Sequence, residues 1–76
     1  MEANDLRENL SSGTATVTFT KADGTKRVMR CTRDASHIPK ESVKPFNDTG
    51  DNVIVWDCDQ NGWRQIRSNQ VKDISY

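Results

Sequence analysis

Apolar and polar residues alternate with period two along much of this chain. Thr14 to Lys21, TATVTFTK, sets Ala15, Val17 and Phe19 against four threonines, the pattern of a strand buried on one face. Asp23-Gly24 follows as a hairpin turn, and KRVMRCTR is its partner strand. Met29 and Cys31 lie on one face of that strand, with Val28, Arg30 and Thr32 on the other. NVIVWDC, from Asn52 to Cys58, is apolar on both faces and predicts a central strand. WRQIRS is the next strand, a tight turn falls at Ser68-Asn69-Gln70, and Lys72 to Tyr76 reads as a short final strand.

Two stretches break the alternation. MEANDLRENL spaces Leu6 and Leu10 four apart, which suits a short helix ended by Ser11, Ser12 and Gly13, or a frayed tail. Asp34 to Asn52 has neither helix nor strand period and is interrupted by Pro39 and Pro45. It reads as a long excursion with one helical turn near Pro39-Lys40-Glu41-Ser42. The expected organisation is therefore an N-terminal helix or tail over 1–13 and an all-β unit over 14–76. That unit is a five-stranded antiparallel SH3-like barrel with a single helical turn before the last strand. Closing the sheet removes edges that so short a chain has nothing else to cover.

Asp57-Cys58-Asp59-Gln60-Asn61-Gly62 spells the D-x-D-x-N-G opening of a calcium-binding EF-hand loop. The twelfth position of such a loop needs a bidentate carboxylate, and here it is Ser68. The flanks have strand character rather than helix. Asn61-Gly62 between them predicts a type I′ hairpin turn, with Asp57 and Asp59 as solvated turn carboxylates.

With 76 residues, the chain has room for one small domain and no deep catalytic cleft. Cys31, His37 and Cys58 lack the C-x₂-C or H-x₃-H spacing of a zinc site, so they read as an inward thiol, a turn thiol and a loop histidine. No nucleophile elbow or phosphate loop is present, and no catalysis, cofactor or small-molecule substrate is expected. The two cysteines are expected as reduced thiols. The opening is acidic rather than a signal peptide, and no apolar run is long enough to span a bilayer. A cytosolic protein without membrane association follows as the expectation.

Charge changes the picture more. Lys+Arg and Asp+Glu are both 11. The bases nevertheless cluster at Lys21, Lys26, Arg27, Arg30 and Arg33, and again at Arg64, Arg67 and Lys72. The acids gather at the N-terminus and between Asp48 and Asp59. A dipolar protein is expected. Its candidate binding residues are Lys26, Arg27, Arg30, Arg33, Trp63, Arg64, Arg67 and Lys72, because arginine forks suit phosphate or carboxylate and tryptophan supplies stacking or an anchor. In a barrel, Arg30 would lie near Arg64 and Arg67 if the second and fourth strands approach. Exposed Val28 or Trp63 would be the contact if the protein self-associates.

KADGTKRVMRCT, VWDCDQNGW and WRQIRSNQV together resemble a family of small phage proteins with an SH3-like β-barrel fold. In that family a K-x-D-G-T hairpin leads to an R-x-M-x-C-T strand, and a V-W-D strand leads through a turn to G-W-R-x-x-R. The likeness runs from Val17 to Ile74 and leaves out the N-terminal dozen residues and the loop from Asp34 to Asp51. The last segment is also similar to the arginine-bearing strand of WYL domains, SH3/Sm-like modules of bacterial transcription regulators. Trp63, Arg64 and Arg67 match its W-R-x-F-R-x-x-x-I pattern, Ile66 stands for the aromatic, and the Trp-Tyr-Leu triplet is absent. The resemblance implies a phage accessory protein working in the host cytoplasm. The expected activity is non-enzymatic binding to a host bacterial protein of the transcription or RNA machinery. The alternative is direct DNA or RNA binding through the basic β-face.

Overall fold

The structure is a computed structural model and describes residues 2–75. A helix, α1 (Ala3–Leu10), precedes five strands: β1 (Thr14–Thr20), β2 (Lys26–Thr32), β3 (Asn52–Asp57), β4 (Gly62–Arg67) and β5 (Val71–Ser75). Three single 3₁₀ turns complete it, at Ala35–His37, Lys40–Ser42 and Ser68–Gln70. All strand pairs are antiparallel, in the spatial order β4-β3-β2-β1-β5. This is the small all-β SH3-like architecture that the alternation predicts, with the second 3₁₀ turn beside Pro39 and the third before the last strand. The last strand begins at Val71, one residue before the predicted start, and predicted Tyr76 lies outside the described residues.

Register shows how the alternation is used. Ala15 pairs with Cys31, Val17 with Met29, Val53 with Ile66 and Val55 with Arg64. Ala15, Val17, Met29, Cys31, Val53, Val55 and Ile66 form one buried cluster. Leu6 and Leu10 of α1 belong to the same cluster and are fully buried. Sequestering each from water contributes about 2 kcal/mol. The helix is thus part of the core rather than a tail. The end of β2 is tied to the helix C-terminus and the segment after it as well: Arg33 N–H donates to the Leu10 carbonyl at 2.8 Å, and the Thr32 hydroxyl to the Gly13 carbonyl at 2.6 Å. Those contacts bury Thr32, although alternation alone places it on the exposed face.

The β1–β2 hairpin closes on a three-residue loop. Gly24 N–H donates to the Lys21 carbonyl at 2.9 Å, and Gly24 has φ +88°, a conformation glycine adopts without strain. The Asp23 carboxylate accepts from the N–H and hydroxyl of Thr25 and falls below the usual carboxylate range, chiefly through that hydroxyl.

The β3–β4 turn departs from expectation. Asp57 pairs with Gly62, so the loop holds Cys58, Asp59, Gln60 and Asn61 rather than a two-residue I′ turn. Only Asn61 takes a positive φ, +54°; Gly62 is an ordinary strand residue. The reason is Asp57 itself. Its Oδ1 accepts from the N–H groups of Asp59 and Gln60 at 2.9 and 3.1 Å, a local bond that stabilises the longer loop.

Candidate functional site

Asp57 is a second correction. It is completely buried, not solvated. Val53, Val55 and Asp57 occupy alternate positions on β3 and point the same way, into the barrel. With Oδ1 committed to the turn, Oδ2 faces Arg27 at 3.4 Å and Arg64 at 3.6 Å. β2 and β4 flank β3, which brings these two arginines together at one rim of the barrel. The Arg27 side chain is 34% exposed and that of Arg64 48%. The carboxylate therefore holds two cations whose outer faces remain wet.

Arg30 does not join them. It alternates with inward Met29 and Cys31, so it shares the outer face with Lys26 and exposed Val28. Arg64 and Arg67 are three residues apart on a strand and project from opposite faces: Arg64 pairs with buried Val55, Arg67 with Asn52. Lys72 lies on β5, at the far edge of the sheet from β4. Lys26, Arg30, Arg67 and Lys72 are all exposed.

Arg33 is occupied inside the molecule. Its Nη1 donates to Asp48 Oδ2 at 2.7 Å and to the Ile54 carbonyl at 2.8 Å, and its guanidinium lies 4.0 Å from the Phe46 ring centroid. Asp48 Oδ2 also accepts from the Ile54 N–H at 2.8 Å and faces Arg7 Nε at 3.5 Å. Arg7 in turn donates to the carbonyls of Gly50 and Asn52, each at 2.9 Å. Burial alone would raise the Asp48 carboxyl. The Ile54 N–H and the two guanidiniums outweigh it and hold the group below the usual carboxylate range. One carboxylate thus joins α1, the long loop, the end of β2 and the start of β3.

These pairings revise the dipolar expectation. Bases and acids that are segregated along the chain meet in space, as Arg7 and Arg33 at Asp48 and as Arg27 and Arg64 at Asp57. Parity with Val53 and Val55 already marks Asp57 as inward. Nothing local in the sequence points to the Asp48 hub, whose partners come from three separate segments.

The long loop folds back over the outer face of β3 and β4. Trp56 and Trp63 form a cross-strand pair on that face, with ring centroids 5.2 Å apart and an edge-on angle of 81°. Phe46 meets Trp63 edge-on at 5.4 Å. The Trp63 indole N–H donates to the Ser42 carbonyl at 3.2 Å, and the Lys44 ammonium sits 5.6 Å from its ring centroid. Trp63 is therefore half-buried, not an exposed contact. Beside it a groove of about 330 Å³ stays open, lined by Lys44, Pro45, Asn47, Ile54, Trp63, Arg64 and Gln65.

Both cysteines are free thiols. Burial pushes Cys31 up to about 12. Cys58, partly exposed, is also raised by burial, with Arg30 opposing the shift. Among the described residues no group of three His, Cys, Asp or Glu side chains is arranged to hold a metal ion. No helix among them is long and apolar enough to cross a membrane.

A family model described as WYL_2, Sm-like SH3 beta-barrel fold, matches residues 3–71. The chain belongs to that family. The WYL_2 match takes in α1 and the long loop, both outside the motifs quoted above, and for α1 this accords with the burial of Leu6 and Leu10 in the core. The chain is also 36% identical over 75 residues to "Uncharacterized 11.5 kDa protein in Gp31-cd intergenic region" of Enterobacteria phage T4, covering 92% of this chain and 74% of that protein. Family and relative together identify a group of small phage SH3-like proteins. No solved structure matches the chain significantly.

Proposed function

We propose that this WYL_2 protein is a non-enzymatic phage accessory module that binds a host protein of the transcription or RNA machinery in the host cytoplasm. The observation that carries the reading is where the cations end up. Arg7, Arg27, Arg33 and Arg64 each lie within 4 Å of an internal carboxylate. Four of the predicted binding bases, Lys26, Arg30, Arg67 and Lys72, are exposed and distributed over three strands and both ends of the sheet. A nucleic-acid ligand favours a continuous track of cations along its phosphates. A mixed surface of scattered charge, exposed Val28 and an aromatic-floored groove suits a protein partner better. Trp63 also serves stacking poorly, because it is packed in T-shaped contacts with Trp56 and Phe46 and Lys44 lies over its ring.

Affinity purification from infected-cell lysate, with and without nuclease, tests this. A host protein retained in stoichiometric amount after nuclease is the expected result. Loss of every partner on nuclease treatment, with binding to oligonucleotides that weakens steeply with salt, would replace this reading with direct nucleic-acid binding.

A further inference from the structure

We propose that the groove between the Lys44–Asn47 segment and β4 receives a short acidic stretch of the protein partner. One apolar side chain would seat on Ile54 and Trp63, with a neighbouring carboxylate drawn to Lys44 and Arg64. This deepens the host-protein reading and rests on it. At about 330 Å³ the groove has room for one or two side chains, not for a folded element. Its floor is apolar: Ile54 and Trp63 come from adjacent strands on the outer face, and each is only half-buried by the loop above.

Its walls bring two cations and no carboxylate. The acids that neutralise cations elsewhere are directed away. Asp48 is engaged by Arg7, Arg33 and the Ile54 N–H, and Asp57 lies on the barrel side of Arg64. Arg64 meets Asp57 through Nε, which leaves its two terminal nitrogens as donors. The groove is therefore locally positive in a chain of zero net charge. The amides of Asn47 and Gln65 add donors and acceptors for an extended backbone.

The test titrates the full chain, isotopically labelled, with synthetic pentapeptides followed by amide NMR. The sequence Asp-Asp-Leu-Glu-Glu, blocked at both ends, is expected to shift residues 44–47, 54 and 63–65. The amide analogue Asn-Asn-Leu-Gln-Gln should bind about tenfold more weakly, and so should the acidic peptide on Lys44→Glu, since a pair near solvent becomes a repulsion. Lys21→Glu, an equal charge change in the β1–β2 turn and outside the groove lining, should bind as the parent does. The proposal is overturned if no shifts appear at the groove, if the amide analogue binds equally, if both lysine variants weaken binding alike, or if an oligothymidylate occupies the groove more tightly than the acidic peptide. If Lys44→Glu still captures the host protein from lysate, the groove assignment fails while the host-protein reading stands.

Discussion

Asp48→Asn tests the tertiary network most directly. The side chain is 5% exposed and satisfies Arg33 at 2.7 Å, the Ile54 N–H at 2.8 Å and Arg7 at 3.5 Å. Asparagine keeps one acceptor for Ile54 or Arg33 but removes the charge. A hydrogen bond to an ionised group contributes about 1 kcal/mol more than a neutral one, and a nearly buried guanidinium without its counter-charge adds to the loss. Counting Arg33 fully and the longer Arg7 contact in part, the cost is about 2 kcal/mol. With an m-value of about 1 kcal/mol/M in urea for so small a domain, the midpoint should fall by about 2 M at pH 7. Urea melts read by the fluorescence of Trp56 and Trp63, which lie under the same loop, measure this. The sign with pH is fixed. The folded-state value of Asp48 lies below the ordinary one, so its stabilisation is present above the unfolded-state value of about 4 and is lost as pH falls through the folded-state value. The parent and Asp48→Asn should therefore converge in acid. A difference under about 0.5 kcal/mol at pH 7, or one that persists unchanged in acid, would refute the reasoning.

Three further outcomes follow from the same geometry. Leu10→Ala should cost about 3 kcal/mol, because Leu10 is fully buried between α1 and the sheet; an unchanged thermal midpoint would mean that the helix is not part of the core. Asn61→Ala should cost about 1 kcal/mol in a urea melt and Asn61→Gly close to nothing, since only the left-handed φ of +54° is at stake; equal effects would point to a side-chain role instead. A thiol reagent at pH 7.5 should modify Cys58 slowly and Cys31 only on unfolding, counted by mass spectrometry. Prompt reaction at both would contradict the burial that raises both thiols.

Strand identity was legible because the side-chain period of two is a local property. TATVTFTK and VIVWD carry their own in-and-out assignment, and Pro39 marked its 3₁₀ turn. The same parity also sorts the charged positions. An offset of three sends Arg64 and Arg67 to opposite faces, and an offset of two from Val55 turns Asp57 inward. The turn type was less legible. The pair Asn61-Gly62 predicts two residues with positive φ, but the Asp57 carboxylate bonds two N–H groups further along and draws four residues into the loop. That competition is decided by the burial of Asp57, which depends on the arginines beside it.

By itself, the sequence determined the strand order along the chain, the two hairpins, the inward faces apart from Thr32 and Asp57, and membership of a small SH3-like phage family. Tertiary structure alone decided which charges meet. Arg7 and Arg33 reach Asp48, and Arg27 and Arg64 reach Asp57, across separations of 15 to 41 residues for the first pair of contacts and 7 to 30 for the second. Propensity and alternation act over a few residues, whereas Coulomb attraction in a partly desolvated site depends on distance in space. That is why a chain with its bases and acids apart in sequence folds into one whose arginines are largely answered, leaving a small positive groove where no carboxylate reaches.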